Sequence, residues 1–265
     1  MRDITLGQYY PANSILHRLD PRVKIVGTLI YLVSLFLVQR WGLFAGLGAL
    51  VLLVIFSEVP VSFMLRGLKA VWILLLITSL FNIFLTDGTI LWQWSVLKIT
   101  REGLQNALVV IFRLVMLIMG ASLMTLTTTP TRLTDGLERL LRPLNRIHVP
   151  VHEVAMMMSI ALRFIPILVE ETDRIMKAQM ARGVDFDDSG LLHKIRALMP
   201  LLVPLFVSAF RRANDLAMAM DARCYRGGEG RTQMNPLQYS RRDVISYVIL
   251  LVFLAGFIIM CVFGL

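Results

Sequence analysis

Cysteine is nearly absent: Cys224 and Cys261 are the only two in 265 residues. One falls in a basic stretch read below as cytoplasmic and the other in the last apolar run, so neither a disulfide nor a thiolate metal site is expected. Histidine is scarce too, limited to His17, His148, His152 and His193. His148 and His152 are spaced i, i+4, but Pro150 between them starts a helix and leaves His148 outside it, so the pair shares no face and no metal site is expected. No Gly-x-x-x-x-Gly-Lys-Ser/Thr sequence occurs, which excludes a phosphate-binding loop of the chain's own. Gly227-Gly228-Glu229-Gly230 lacks the strand-to-helix setting of a nucleotide cradle and reads as a flexible loop. No serine, cysteine or carboxylate constellation pairs a nucleophile with a base. Catalytic residues and a bound cofactor are therefore not expected on this chain.

Acidic residues are also few, 18 against 27 Lys and Arg, for a net charge of +9. What is abundant is apolar: 57% of residues, with a mean hydropathy of +0.70. That composition belongs to an integral membrane protein. Uncharged runs occur at 25–39, 41–57, 70–86, 114–131 and 244–265. A spanning helix needs roughly 17–25 apolar residues, and the short first run is helped by Lys24 and Arg40, which can snorkel at its ends. Five spans are expected. The N-terminus is polar and the first apolar run starts at Ile25, so no cleavable signal peptide is expected.

The basic residues set the orientation. Residues 1–24 carry Arg2, Arg18, Arg22 and Lys24, the 57–69 loop carries Arg66 and Lys69, and residues 128–242 hold 17 of the 27 Lys and Arg. The loops at 39–41 and 87–103 hold only Arg40, Lys98 and Arg101. The positive-inside bias puts the N-terminus and 128–242 in the cytoplasm and, with five spans, the C-terminus outside. Trp92 and Trp94 fit an aromatic belt at the outer interface. The basic charge is then a topology signal, and nucleic acid is not an expected partner.

Four segments follow: a cytoplasmic interfacial lead-in at 1–24, spans at 25–128, a cytoplasmic domain at 129–242 and a C-terminal span at 243–265. Asp20-Pro21 is a helix start, with Asp as N-cap and Pro at the first helical position. The very short link Gln39-Arg40-Trp41 joins the first two spans. Gly42 and Gly46 make a small-xxx-small step, which permits close helix contact and is equally ordinary glycine usage in a membrane helix. Arg113 is the one charge inside an apolar stretch; it reads either as a functional intramembrane charge or, preferred here, as a side chain snorkelling to the outer headgroups.

In the 129–242 segment, Thr131 can cap a helix carrying Leu133, Leu137, Leu140, Leu141 and Leu144, which Pro143 and Pro150 end. From Val151 to Arg182, Ser159, Arg163, Glu170, Arg174 and Lys177 form a polar stripe. Val154, Met157, Met158, Ala161, Leu162, Ile165 and Leu168 form the other face. Asp185, Asp187 and Asp188 break the pattern, and a third helical stretch from Leu191 to Arg223 is interrupted by Pro200 and Pro204. The 13 residues Leu198–Phe210 read as buried or interfacial rather than as a sixth span. Methionine is abundant here, which suits an adaptable surface for several partners and suits core packing equally well.

One pattern stands out. Ala181-Arg182-Gly183 ends one long helical stretch and Ala222-Arg223-Cys224 ends the next, 41 residues later. An Arg in a last helical turn followed by Gly complements the negative helix end and caps it. Two such ends, each Ala-Arg after a charged, Met-containing helix, suggest a plug for two similar sockets on a soluble partner. Arg can fork onto a carboxylate, and the small Ala beside it lets a partner approach.

At these residues the sequence resembles the transmembrane T component of energy-coupling factor transporters, a group that includes cobalt-uptake permease relatives. The resemblance runs through Gly7-Gln8-Tyr9, Ser14 and His17-Arg18-Leu19-Asp20-Pro21-Arg22-Val23-Lys24. It continues in Thr127-Thr128-Thr129-Pro130, Leu133-Thr134-Asp135-Gly136-Leu137, Pro143-Leu144, His148-Val149-Pro150 and Ala161-Leu162-Arg163-Phe164-Ile165-Pro166. The two Ala-Arg-Gly-type motifs are its most specific part. The resemblance implies an all-α membrane protein of about five spans with long amphipathic coupling helices. It implies that Ala181, Arg182, Gly183, Ala222 and Arg223 dock on two ATP-binding-cassette ATPases, which carry the ATP and Mg. It also implies a separate small membrane protein that captures a vitamin or a transition-metal ion such as cobalt or nickel. A face of Leu133, Leu137, Leu140, Leu144, Met157, Met158, Leu162 and Ile165 is assigned to that capture protein or to helix packing. Cys224 departs from the pattern, and the cap after Arg223 is left open, because Cys enters the left-handed region less easily than Gly.

The expected function is a non-catalytic coupling subunit in the cell membrane. Two rivals are a permease binding its own substrate, which needs polar or broken helices at the midplane, and an intramembrane enzyme, which needs facing catalytic groups. Only Arg113, Asn82 and scattered Ser and Thr offer either.

Overall fold

The computed structural model describes residues 9–38, 42–94, 97–184, 191–228, 234 and 236–262, with the side chains of 70, 90–98 and 191–197 excepted. Gly7, Gln8, the Gln39-Arg40-Trp41 link, Asp185, Asp187, Asp188, Glu229 and Gly230 lie outside the described residues, as do the side chains of Trp92, Trp94 and His193.

The chain is an all-α membrane protein, and among the described residues the five apolar runs of the sequence are mostly helical. These are α1 (Ile15–Arg18), α2 (Pro21–Leu37), α3 (Gly42–Ser57), α4 (Val61–Leu85), α5 (Arg101–Thr127), α6 (Pro130–Leu141), α7 (Val151–Ala181), α8 (Leu191–Ala222) and α9 (Arg241–Val262). One addition was not expected. The loop between α4 and α5 holds an antiparallel hairpin, β1 (Ile90–Trp94) and β2 (Leu97–Thr100), pairing Gln93 with Lys98. Among the described residues, α5, α7 and α9 are long and apolar enough to cross a membrane. A fourth candidate is α4, bent by 64° where Val61–Lys69 meets Val71–Leu85. The α3 helix is a shorter apolar helix and α2 has 17 residues. By length and apolarity alone α7 therefore qualifies. The reason is its first half, where Glu153 and Arg163 are the only charges up to Leu168; Glu170, Glu171, Asp173, Arg174 and Lys177 follow.

Two compact units divide the chain: Gly7–Leu140 with Leu237–Leu265, and Leu141–Pro236. In the first, Tyr31, Leu35, Leu43, Leu50 and Met116 form one buried cluster, and Val59, Met64, Leu123 and Leu126 form another. Gly46 and Gly120 are spaces for neighbours: a Cβ on Gly46 would meet Leu35, and one on Gly120 would meet the Tyr31 ring. Of the two readings of the Gly42–Gly46 step, close contact holds at Gly46. Outward, Leu74, Ile77, Leu80 and Phe81 on α4 and Val248, Ile249 and Val252 on α9 are exposed, an apolar surface of the kind a bilayer covers.

Antiparallel α2 and α5 are pinned at both ends. Lys24 Nζ donates to Thr127 O (2.9 Å) and to Thr128 Oγ1 (3.3 Å), while Arg113 Nη2 donates to Val38 O (2.8 Å). Lys24 to Val38 and Arg113 to Thr127 both span 14 residues, so the two anchors share one register. The sequence does not announce this contact of Arg113 with the end of α2. The last carbonyls of α2 lack helical partners at the negative end of its dipole, and the guanidinium is drawn there.

The N-terminal segment is tied to α9. Asp20 caps α2 by accepting from Arg22 N–H (2.9 Å), as its sequence predicts. The Arg22 side chain forks onto both Asp20 oxygens, 3.0 and 2.8 Å, and lies 3.7 Å over the Tyr239 ring. Asp20 N–H donates to Asp243 Oδ1 (2.8 Å), and Asp243 Oδ2 accepts from the N–H and hydroxyl of Ser240, 2.7 and 2.8 Å, so its carboxylate reaches back from the first turn of α9 to the residue before it. Two smaller expectations are corrected. Thr129, not Thr131, leads into α6, with Pro130 at its first position and Arg132 N–H on Thr129 Oγ1 at 3.5 Å. Pro200 and Pro204 do not interrupt α8, which runs through both.

Candidate coupling site

The second unit is built on α7 and α8, which run past each other in opposite directions. Gln179 Nε2 of α7 donates to Pro200 O of α8 (3.2 Å), and Arg212 Nη2 of α8 donates to Glu171 Oε2 of α7 (3.1 Å). Later residues of one helix thus meet earlier residues of the other. Between them lies a groove of about 290 Å³, lined on α7 by Ile160, Phe164 and Leu168 and on α8 by Ala209, Ala213 and Ala217. The spacing of four on each helix puts each set on one face. Before α7, a 3-10 helix spans Arg142–Ile147, and His148 follows it in the left-handed region, φ 63°. His148 is therefore outside α7, as expected.

Both helices end in the same cap. At the end of α7, Arg182 N–H donates to Gln179 O (3.0 Å), Gly183 N–H to Met180 O (3.0 Å) and Val184 N–H to Gln179 O (3.1 Å). At the end of α8, Arg223 N–H donates to Met220 O (3.1 Å), Cys224 N–H to Asp221 O (2.9 Å) and Tyr225 N–H to Met220 O (3.1 Å). Each is a Schellman-type closure: the residue after the Arg turns left-handed, and the next N–H reaches back five residues. Gly183 has φ 89° and Cys224 has φ 55°. The question that Cys224 raised is thereby answered: it adopts the conformation that Gly would and keeps the cap.

All five residues assigned to coupling, Ala181, Arg182, Gly183, Ala222 and Arg223, are exposed. The caps satisfy backbone groups with backbone partners, so neither guanidinium is needed to close its own helix. Because α7 and α8 are antiparallel, the two Arg-bearing tips lie at opposite ends of the pair. Of the residues assigned to the capture protein or to packing, Leu133, Leu137 and Leu140 are half-buried in the first unit. In the second, Leu144, Met157, Met158 and Ile165 are exposed and Leu162 is half-buried. The glycine loop has a packing role at its start: Gly227 is left-handed, φ 91°, and Gly228 lies against the His152 ring with no room for a Cβ.

Glu171 and Arg212 were not singled out from the sequence. Their signal is the same 41-residue spacing, since Glu171 stands 11 residues before Arg182 and Arg212 stands 11 before Arg223. Among the described residues no group of three or more His, Cys, Asp and Glu could hold a metal ion.

Comparison with known proteins places these motifs in a family. A family model described as cobalt transport protein, CbiQ, matches residues 12–234. The energy-coupling factor transporter transmembrane protein EcfT of Ruminiclostridium cellulolyticum is 50% identical over 261 residues, covering 98% of each chain. EcfT of Clostridium kluyveri is 52% identical over 255 residues, covering 95% of this chain and 94% of its own. EcfT of Heliobacterium modesticaldum is 49% identical over 263 residues, covering 98% and 97%.

Proposed function

This chain belongs to the CbiQ family of cobalt transport proteins and, within it, to the energy-coupling factor transporter transmembrane proteins, and from that premise we propose how it works. It couples two ABC-type ATPase subunits to a separate small membrane capture protein for a vitamin or a transition-metal ion. The observation that carries this reading is the pair of Arg-bearing caps, closed by the same backbone bonds, at opposite ends of α7 and α8. Two tips of one design, turned apart, suit a partner with two like grooves, and a pair of ATPases offers them. When ATP draws the grooves together, the tips follow. The motion passes along α7 and α8 to their apolar faces, which hold or release the capture protein. ATP and Mg bind on the ATPases, and the chain itself is non-catalytic and holds no cofactor. The N-terminus and residues 129–242 face the cytoplasm and the C-terminus lies outside, on the Lys and Arg asymmetry.

Two measurements test it. The double variant Arg182→Glu, Arg223→Glu should lose co-purification of the ATPases while still inserting in the membrane. Calorimetry of the purified chain with ATP, cobalt(II) and candidate vitamins should show no binding. Wild-type recovery of the ATPases with the double variant, or micromolar ATP binding by the chain alone, overturns the reading.

A further inference from the structure

The 41-residue shift relates more than the two motifs. It carries Ala181-Arg182 onto Ala222-Arg223, Gly183 onto Cys224, and Glu170-Glu171 onto Arg211-Arg212. Glu171 and Arg212 also touch, at 3.1 Å. When two antiparallel helices correspond residue for residue and a residue meets its own counterpart, a local two-fold axis passes through that contact. The same operation nearly relates one further contact. It takes the Gln179–Pro200 contact onto Met220 and Ser159, and Met220 lines the groove together with Ile160, the neighbour of Ser159. Each Arg tip therefore lies 11 residues from the axis, about 16 Å along its helix at 1.5 Å per residue.

We propose that the Glu171–Arg212 ion pair is the pivot of the coupling unit: a positioning pair that sets where α7 crosses α8 and so keeps the two Arg tips equidistant from the crossing. This rests on the coupling function proposed above. At a two-fold contact identical residues would place like charges together; the opposite charges of Glu171 and Arg212 remove that conflict. The surrounding surface does not set the crossing by itself. Ala209, Ala213 and Ala217 present small side chains to Phe164 and Leu168, with the larger Leu216 and Met220 at the margin, so on the alanine face the Glu171–Arg212 pair and the Gln179–Pro200 bond are the directional contacts. The ion pair is directional, and a one-turn slip breaks it. Its side chains are 27% and 36% exposed, so it adds little to stability. What it supplies is register, a use for which paired charges are suited.

The test uses spin labels on Ala178→Cys and Ala219→Cys, exposed positions related by the same shift, with Cys224→Ser and Cys261→Ser as background. Pulsed electron–electron resonance on the full chain should give one narrow distance distribution. Glu171→Gln and Arg212→Gln should each broaden it at least two-fold, and the swap Glu171→Arg with Arg212→Glu should narrow it again. With both ATPases bound, ATP and vanadate should shift the distance in the parent chain and in the swap, but give no uniform shift in either Gln variant, while the ATPases still co-purify. Unchanged distributions in the Gln variants, or a swap that restores neither the narrow distribution nor the shift, overturn the pivot. The first measurement needs only this chain, so it decides the pivot even where the ATPases fail to bind, an outcome that counts against the coupling function instead.

Discussion

Gly183 and Cys224 hold the same place in two matching helix caps, one at φ 89° and the other at φ 55°, with the next residue's N–H closing back onto Gln179 O and Met220 O at 3.1 Å in both. A left-handed residue with a Cβ costs roughly 1–2 kcal/mol that Gly does not incur. The α8 cap is therefore the more strained of the two, and the sequence difference at this one position makes the two tips unequal in stability.

Cys224→Gly should relieve that strain and stabilise the end of α8 by about 1 kcal/mol. Hydrogen exchange at the Arg223 and Tyr225 amides should slow several-fold, with uptake unchanged. Gly183→Ala should do the reverse at α7. If the two substitutions move exchange in the same direction, the caps are not equivalent.

How much of this was legible in the sequence divides by range. Asp20-Pro21 signals a cap because the carboxylate and its target amide are two residues apart, and the apolar runs show the spans because burial in lipid demands unbroken apolarity. The Asp20–Asp243 bond joins residues 223 apart, and nothing local to either announces it. Arg113 was visible as an odd charge, but its destination, the last turn of α2, depends on how α2 and α5 are staggered. At the coupling tips the Ala-Arg repeat was plain, whereas Cys224 ran against local propensity and only the closed cap settled it. Glu171–Arg212 was hidden in ordinary helix charge until the repeat supplied a frame.

Topology can be read with single cysteines in the Cys224→Ser, Cys261→Ser background. Met234 is 98% exposed, and Asp87 is exposed ahead of the hairpin. An impermeant maleimide added to intact cells should label Asp87→Cys and leave Met234→Cys unlabelled until the cells are opened. Labelling of Met234→Cys in intact cells would reverse the orientation.

His17 predicts a pH dependence. It is buried, with Nε2 donating to Tyr10 O (2.9 Å) and Nδ1 2.6 Å from the Ser14 hydroxyl, which donates to Nδ1 when the imidazole is neutral. Burial is the main cause that pushes its pKa below the ordinary 6.5; the Lys24 charge adds to it and the Tyr10 carbonyl opposes it. The unfolded chain then binds more protons than the folded chain between the folded value and 6.5. Stability is full above about pH 7 and falls as pH drops through 6.5. Thermal melting from pH 8 to pH 5 should show a drop in Tm that is smaller in His17→Asn. Equal slopes in the two proteins would exclude His17 as its source.

The Arg pair separates docking from capping by magnitude. Arg182 and Arg223 are exposed, and the caps around them are closed by backbone bonds alone. If each guanidinium only complements its own helix end, Arg→Ala costs about 0.3–1 kcal/mol of local stability and leaves ATPase recovery unchanged. If each seats on a carboxylate in an ATPase groove, losing one partner of a desolvated pair costs about 2–5 kcal/mol of binding, a fall in affinity of roughly 30-fold or more. Arg182→Ala and Arg223→Ala should each weaken ATPase binding by that much with Tm of the chain nearly constant. Lys at either position should recover part of the affinity, because it keeps the charge but loses the planar fork. The Cys224 thiol, exposed next to Arg223, gives an independent check. Maleimide added before the ATPases should block their binding to the wild-type chain and have no effect on Cys224→Gly. Full binding by both Ala variants would leave the two arginines as helix-end charges and remove the docking role.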